Sequence, residues 1–176
     1  MVVCVCRSIG IRTTCSRAIA SRFPLGWVFV EIDFVCRHIR CDDFRCGNDL
    51  LDANLRAAVA DPVDPAHIVY LVAHEDHVAR GYAAVLDVVI EVEDAARPTL
   101  RCLLIAALAT DHRYAGGQVG PSLLARALEL LSQRPPYDAI AVTSFPDREI
   151  EARFERLGFQ RAPGNGVLWY RILPQR

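Results

Sequence analysis

The stretch Cys102-Leu103-Leu104-Ile105-Ala106-Ala107-Leu108-Ala109, continuing into Thr110-Asp111-His112-Arg113-Tyr114-Ala115-Gly116-Gly117-Gln118-Val119-Gly120-Pro121, decides how this chain folds. An unbroken apolar run of this length reads as a central strand buried on both faces. The polar, glycine-rich segment after it is a turn. Directly beyond, Leu123, Leu124, Ala127, Leu128 and Leu131 mark one stripe of a helix, with Pro121 suited to its first turn. Strand, tight turn and helix in immediate succession make a unit that packs a helix onto a sheet.

Working outward, Trp27 to Ile32 reads as a first strand. Asn48 or Asp49 caps a helix carrying Leu50, Leu51, Leu55 and Val59 inward and stopping at Asp61-Pro62. Ile68 to Ala73 and Val78 to Val92 form a hairpin, with His74-Glu75-Asp76-His77 as its turn. Downstream, the helix stops before Pro135-Pro136 and Asp138 to Thr143 is a further buried strand. Ser144 or Asp147 caps a helix with Ile150, Phe154 and Leu157 inward and Gly158 as its stop, and Val167 to Leu173 is a last strand. This order predicts an α/β (α+β) fold, a mixed sheet with helices packed on it. There is no internal repeat.

The chain has 176 residues, 52 % of them apolar and 23 % charged, enough for a sizeable core and unlike a disordered chain. Its apolar stretches fall short of the roughly 18 to 20 residues a membrane span needs. All 20 basic residues are arginine, which excludes lysine chemistry: no Schiff base and no phosphate-loop lysine. Residues 1–30 hold Arg7, Arg12, Arg17 and Arg22 and no acid, so the remainder carries 16 arginines against 21 acids. We read residues 1–26 as a basic arm or a mis-assigned start, and 27–176 as one domain in a cytoplasmic protein with no membrane association. Seven cysteines are an odd number with no scaffold spacing. Cys36, Cys41 and Cys46, with His38 among them, lack the second knuckle that closes a zinc tetrahedron. They read as reduced thiols, and no metal is expected.

The glycine-rich turn is where chemistry fits best. Backbone N–H groups converge there beside a helix N-terminus, an arrangement suited to a phosphate or pyrophosphate. It lacks the G-x-G-x-x-G of dinucleotide sites and the lysine of phosphate-loop enzymes.

Leu108-Ala109-Thr110-Asp111-His112-Arg113-Tyr114 with Gly116 to Gly120 and Leu123-Leu124 resembles the acetyl-CoA motif of the GCN5-related N-acetyltransferases. Ala152 to Phe159, ending in Leu157-Gly158-Phe159, resembles that family's second signature. Phe44-Arg45-Cys46-Gly47 with Leu51-Asp52 and Leu55 is similar to the start of the acetyltransferase toxins of toxin–antitoxin pairs, which acetylate aminoacyl-tRNA. The resemblance implies a mostly antiparallel sheet and acetyl-CoA as co-substrate. It places the pantetheine against the backbone of Leu108, Ala109 and Thr110, where the strand splays from its neighbour. It places the pyrophosphate against Ala115, Gly116, Gly117, Gln118, Val119 and Gly120. The acceptor amine, on a small molecule or peptide, attacks the thioester directly.

Three positions depart from the family. Ala115 and Gln118 stand where it has Gln/Arg and Gly, and Phe154 stands where a tyrosine commonly protonates the leaving thiolate. Phenylalanine has no proton to give, so a slow enzyme or a non-catalytic acyl-CoA- or partner-binding domain is an alternative. Ser144, His112 and Tyr170 remain as candidate catalytic residues. Aminoacyl-tRNA is a second acceptor class, which the acidic balance beyond residue 30 disfavours, and an antitoxin is a candidate partner.

Overall fold

A computed structural model describes residues 31–62, 68–93, 98–132, 137–143 and 148–173. One seven-stranded sheet organises them: β1 (Glu31–Phe34), β2 (Val69–Glu75), β3 (Val78–Glu91), β4 (Thr99–Thr110), β5 (Ala139–Thr143), β6 (Gln160–Arg161) and β7 (Leu168–Ile172), in the order β1-β2-β3-β4-β5-β7-β6. Every pairing is antiparallel except β4 with β5. Helices α1 (Asp49–Ala60), α2 (Val119–Ser132) and α3 (Arg148–Arg156) interrupt the strands, and a 3-10 turn spans His112–Tyr114. The α/β class expected from the sequence is the class observed.

Local chemistry accounts for the elements. Asn48 Oδ1 accepts the N–H groups of Leu50 and Leu51 at 3.0 and 3.2 Å, which satisfies two of the donors a helix leaves open at its start. Asp49 and Asp52 lie in the same turn, where negative charge is favoured by the helix dipole. Along β4, Leu103 and Ile105 join one core cluster and Cys102 another, as expected of a strand covered on both faces. Leu123 and Ala127 of α2 press on Leu71, Ala83 and Val85. On the opposite face, Leu55 of α1 and Phe44 pack with Val72, Tyr82 and Ala84. Tyr82 also donates its hydroxyl to the Leu51 carbonyl at 2.9 Å, fixing α1 to the sheet.

Several details differ from the expectations. The described part of the first strand, Glu31–Phe34, overlaps the expected span at Glu31 and Ile32 and runs two residues further, while the rest of that span lies outside the described residues. Leu50 and Leu157 are exposed rather than inward. Leu157 lies beyond the last residue of α3, where helical periodicity no longer sets its direction. The hairpin turn consists of Asp76 and His77 alone. Glu75 pairs with Val78, and both turn residues have positive φ (48° and 62°), the twist a two-residue hairpin requires. His74 therefore belongs to β2 and is buried. The two-residue β6 carries no periodicity from which to read it. The arm proposed for residues 1–26 and the capping residues Ser144 and Asp147 lie outside the described residues.

Candidate active site

The sheet opens where β4 outruns β5. Their pairing runs from Cys102↔Ala139 to Ile105↔Val142, while β4 continues against β3 as far as Gly81↔Thr110. A bulge marks the place: Ala84 pairs with Ala107 and Val85 with Ile105, which leaves Ala106 as the extra residue on β4. Thr143 closes the apex by donating its hydroxyl to the Ala106 carbonyl at 2.8 Å.

Beyond that apex the backbone is available. Backbone groups alternate sides along a strand, and the Asp111 N–H bonds the Arg80 carbonyl on β3 at 2.9 Å. Ala109 therefore faces β3 as Asp111 does, and the N–H and C=O groups of Leu108 and Thr110 face the gap. The Leu108 side chain is 42 % exposed, the one large apolar residue of β4 to be so.

The gap leads to the glycine-rich turn. Two of its amides are engaged internally: Ala115 N–H on the His112 carbonyl (3.4 Å) and Gly117 N–H on the Tyr114 carbonyl (3.2 Å). The N–H groups of Gly116, Gln118, Val119 and Gly120 have no backbone partner among the described residues. Gly116 holds φ at +77°, open to glycine without strain. The turn ends in the first residues of α2, whose N-terminal amides carry partial positive charge. Gly81 makes that placement possible, since a Cβ there would lie 2.6 Å from Val119 Cγ1 and 2.8 Å from the Ala109 carbonyl oxygen.

A buried carboxylate anchors the turn from behind. Asp111 is 0 % exposed. It accepts the Arg113 N–H (3.0 Å), Arg113 Nε and Nη2 (both 2.8 Å), and the Arg45 N–H (3.1 Å). Burial alone pushes its carboxyl up. The donations from Arg113 and Arg45 outweigh that and hold it well below the usual carboxylate range. Arg113 also reaches the Asp43 carbonyl at 3.2 Å, and the Arg45 carbonyl accepts both the His112 N–H (2.8 Å) and His112 Nδ1 (2.9 Å). The Phe44–Gly47 loop and the turn are thus one unit. Within the loop, buried Asp52 accepts the Cys46 N–H at 2.9 Å and Gly47 holds φ at +87°. Phe44 and Leu55 are core.

Of the candidate catalytic residues, His112 and Tyr170 lie in different settings. His112 is 64 % exposed on its side chain. A carbonyl only accepts, so Nδ1 carries the proton and Nε2 is left as the ring's acceptor. Tyr170 is packed in the core with Ala141 and Leu168, on a register row below the apex. Ser144 lies outside the described residues. Phe154 sits against Phe159 and Trp169, with ring centroids 5.5 and 5.8 Å away. Cys41 and Cys46 pack near Phe44 and Leu55, and burial pushes both thiols up. Cys102 is pushed up to about 12 by burial. Such thiols are poor nucleophiles. Nothing local in the sequence marks Asp111 out from an ordinary turn residue, because the Arg45 amide that it holds lies 66 positions away.

The fold is that of toxin acetyltransferases of the GCN5-related type. Among solved structures, AtaT complexed with acetyl-methionyl-tRNAfMet superposes with a TM-score of 0.68 at 15 % identity, over 82 % of this chain and 94 % of that one. A tyrosine-to-phenylalanine variant of KacT gives 0.66 at 17 %, over 81 % and 94 %. AtaTR bound with acetyl-CoA gives 0.62 at 16 %, over 81 % and 93 %. No protein-family model matches the chain, and no curated protein matches it by sequence. Among the described residues, no helix is long and apolar enough to cross a membrane.

Proposed function

We propose that this chain transfers an acetyl group from acetyl-CoA to a primary amine by direct attack on the thioester. The observation that carries this reading is the gap between β4 and β5 running into the glycine-rich turn. The free backbone groups of Leu108 and Thr110 suit the amides of a pantetheine arm, lying beside β4 as an added strand would. The amides of Gly116, Gln118, Val119 and Gly120 suit the pyrophosphate. Acetyl-CoA supplies an activated carbonyl, and the pocket's part is to align the amine with it and exclude competing water. His112 keeps a proton-accepting nitrogen clear of the bond that holds its ring, which fits proton removal from the acceptor through water. The aromatic setting of Phe154 offers the thiolate no donor, so the reading includes slow turnover.

The fold shared with AtaT, solved with acetyl-methionyl-tRNAfMet, favours a second reading in which the amine belongs to an aminoacyl-tRNA. The motif shared with the toxins supports it, since Phe44, Gly47, Asp52 and Leu55 all serve the loop that Asp111 holds. In that setting an antitoxin is the expected protein partner.

The deciding experiment is a thiol-release assay with acetyl-CoA over a panel of small amines, peptides and aminoacyl-tRNAs, alongside calorimetry with acetyl-CoA. Release dependent on a small amine or peptide supports the first reading, and release dependent on charged tRNA alone supports the second. Binding without release from any acceptor points to an acyl-CoA-binding domain, and no binding at millimolar ligand removes all three.

A further inference from the structure

At the edge of the sheet, away from the β4–β5 gap, Glu31 and Asp33 lie two residues apart on β1 and so share one face. His74 pairs with Glu31 in register and turns Nε2 towards Asp33 Oδ2 at 3.2 Å. One donor atom from each of Glu31, Asp33 and His74 falls within 4.8 Å of the others. We propose that these three residues bind a divalent transition-metal ion, with Zn²⁺ as the best-matched probe.

Charge, burial and geometry converge on this site. His74 is 2 % exposed, and its Nδ1 has no hydrogen-bond partner among the described residues. Without an ion Nε2 donates to the Asp33 carboxylate; an ion takes the place of that proton, and the ring then carries its hydrogen on Nδ1. Among the described residues no arginine pairs with the carboxylates of Glu31, Asp33 or Asp76. Arg80 is committed to Glu75 at 2.9 Å, and Arg40 donates to the Asp76 carbonyl at 3.1 Å. An open cleft lined by Glu31, Glu75, Asp76 and His77 meets the triad at Glu31, and its carboxylates favour a cation there.

Two donors about 2.1 Å from one ion are about 3.0 Å apart at an octahedral right angle and about 3.4 Å apart at a tetrahedral one. The 3.2 Å between His74 and Asp33 lies between these. One imidazole among three donors favours zinc-like ions over calcium or magnesium, which prefer oxygen alone. Three protein ligands leave a coordination position for water. The bound ion links the four-residue edge strand β1 to β2, so the loaded protein is the more stable form. The site is independent of the acetyl-transfer reading.

The test uses the untagged full chain, freed of metal by chelation and titrated with ZnCl₂ by calorimetry and with CoCl₂ by visible absorption. The expected result is one equivalent bound and a cobalt spectrum without a thiolate charge-transfer band. Glu31→Gln and Asp33→Asn sit on the accessible side of the triad, and each is expected to weaken binding about tenfold or more. His74→Gln removes the buried ligand and is read only after circular dichroism shows the fold intact. No binding by the parent chain at millimolar metal overturns the proposal. So does a thiolate band, which assigns the ion to cysteines, and so does affinity unchanged in both Glu31→Gln and Asp33→Asn.

Discussion

The carboxylate of Asp111 accepts the backbone N–H of Arg45 at 3.1 Å, joining the turn after β4 to a loop 66 residues earlier in the chain. The same carboxylate takes three donations from Arg113. A fully buried charge survives only when satisfied in this way. Asp111→Ala leaves the Arg45 amide without its partner and frees the Arg113 guanidinium. The expected loss is about 2–4 kcal/mol, read as a lower midpoint in urea denaturation with an unchanged slope.

The same carboxylate sets an acid dependence. Its folded-state pKa is depressed, so between the folded and unfolded values the unfolded chain binds more protons. The stability it contributes is full above the unfolded value near 4 and is lost as pH falls below that. Asp111→Asn abolishes this part of the profile. Stability of the parent and of Asp111→Asn, compared from pH 7 down to pH 3, should converge as the medium becomes acid.

Among the described glycines, Gly81 is the one where an added methyl group meets the closest contacts. The added Cβ meets a backbone oxygen at 2.8 Å, and that oxygen cannot rotate away as a side chain can. Gly81→Ala must push β3 from β4 or lift α2 from the sheet. We expect a cost of about 1–3 kcal/mol. Weaker acetyl-CoA binding should accompany it, because the start of α2 moves with Val119. Thermal melts and calorimetry check the two parts separately.

Thr143→Val tests the apex of the gap. The Thr143 side chain is exposed, so loss of its bond to the Ala106 carbonyl is expected to cost at most about 1 kcal/mol of stability. The opening between β4 and β5 loses its fastener, and acetyl-CoA affinity is expected to fall several-fold. A variant that binds as tightly as the parent would show that the hydroxyl has no part in shaping the gap.

Elements whose signals are local were legible in the sequence. The apolar run of β4, the Asn48 cap and the Asp61-Pro62 stop of α1, and the stripe of α2 all lie within a few residues of what they determine. Long-range relationships were not. Asp111 resembles any turn aspartate until Arg45 is folded against it. His74 stands in a polar run that looks like a turn, yet it lies within β2, one residue before its end, because two residues suffice for the hairpin. The apolar character of Leu108 says buried, whereas the strand's departure from β5 exposes it, and only the family resemblance pointed to that departure. The Phe44–Gly47 motif was read as a marker of subgroup. Its residues turn out to build a core contact, a positive-φ corner and a hydrogen bond to Asp52.

Phe154 gives the sharpest chemical test. Its ring is held by Phe159 and Trp169 and lacks the hydroxyl that the resemblance assigns to this position. If protonation of the leaving thiolate limits turnover, Phe154→Tyr supplies the missing donor. Turnover is then expected to rise by about 10²-fold, the usual scale of general-acid help. Affinity for acetyl-CoA should stay level, because the added oxygen acts on the leaving sulfur rather than on the bound ground state. Thiol release at saturating acetyl-CoA, with calorimetry on the same preparation, separates these effects. Equal rates for Phe154 and its tyrosine variant would mean that another group protonates the thiolate or that it departs unassisted. Tighter acetyl-CoA binding without faster release would mean that the hydroxyl contacts the co-substrate before reaction.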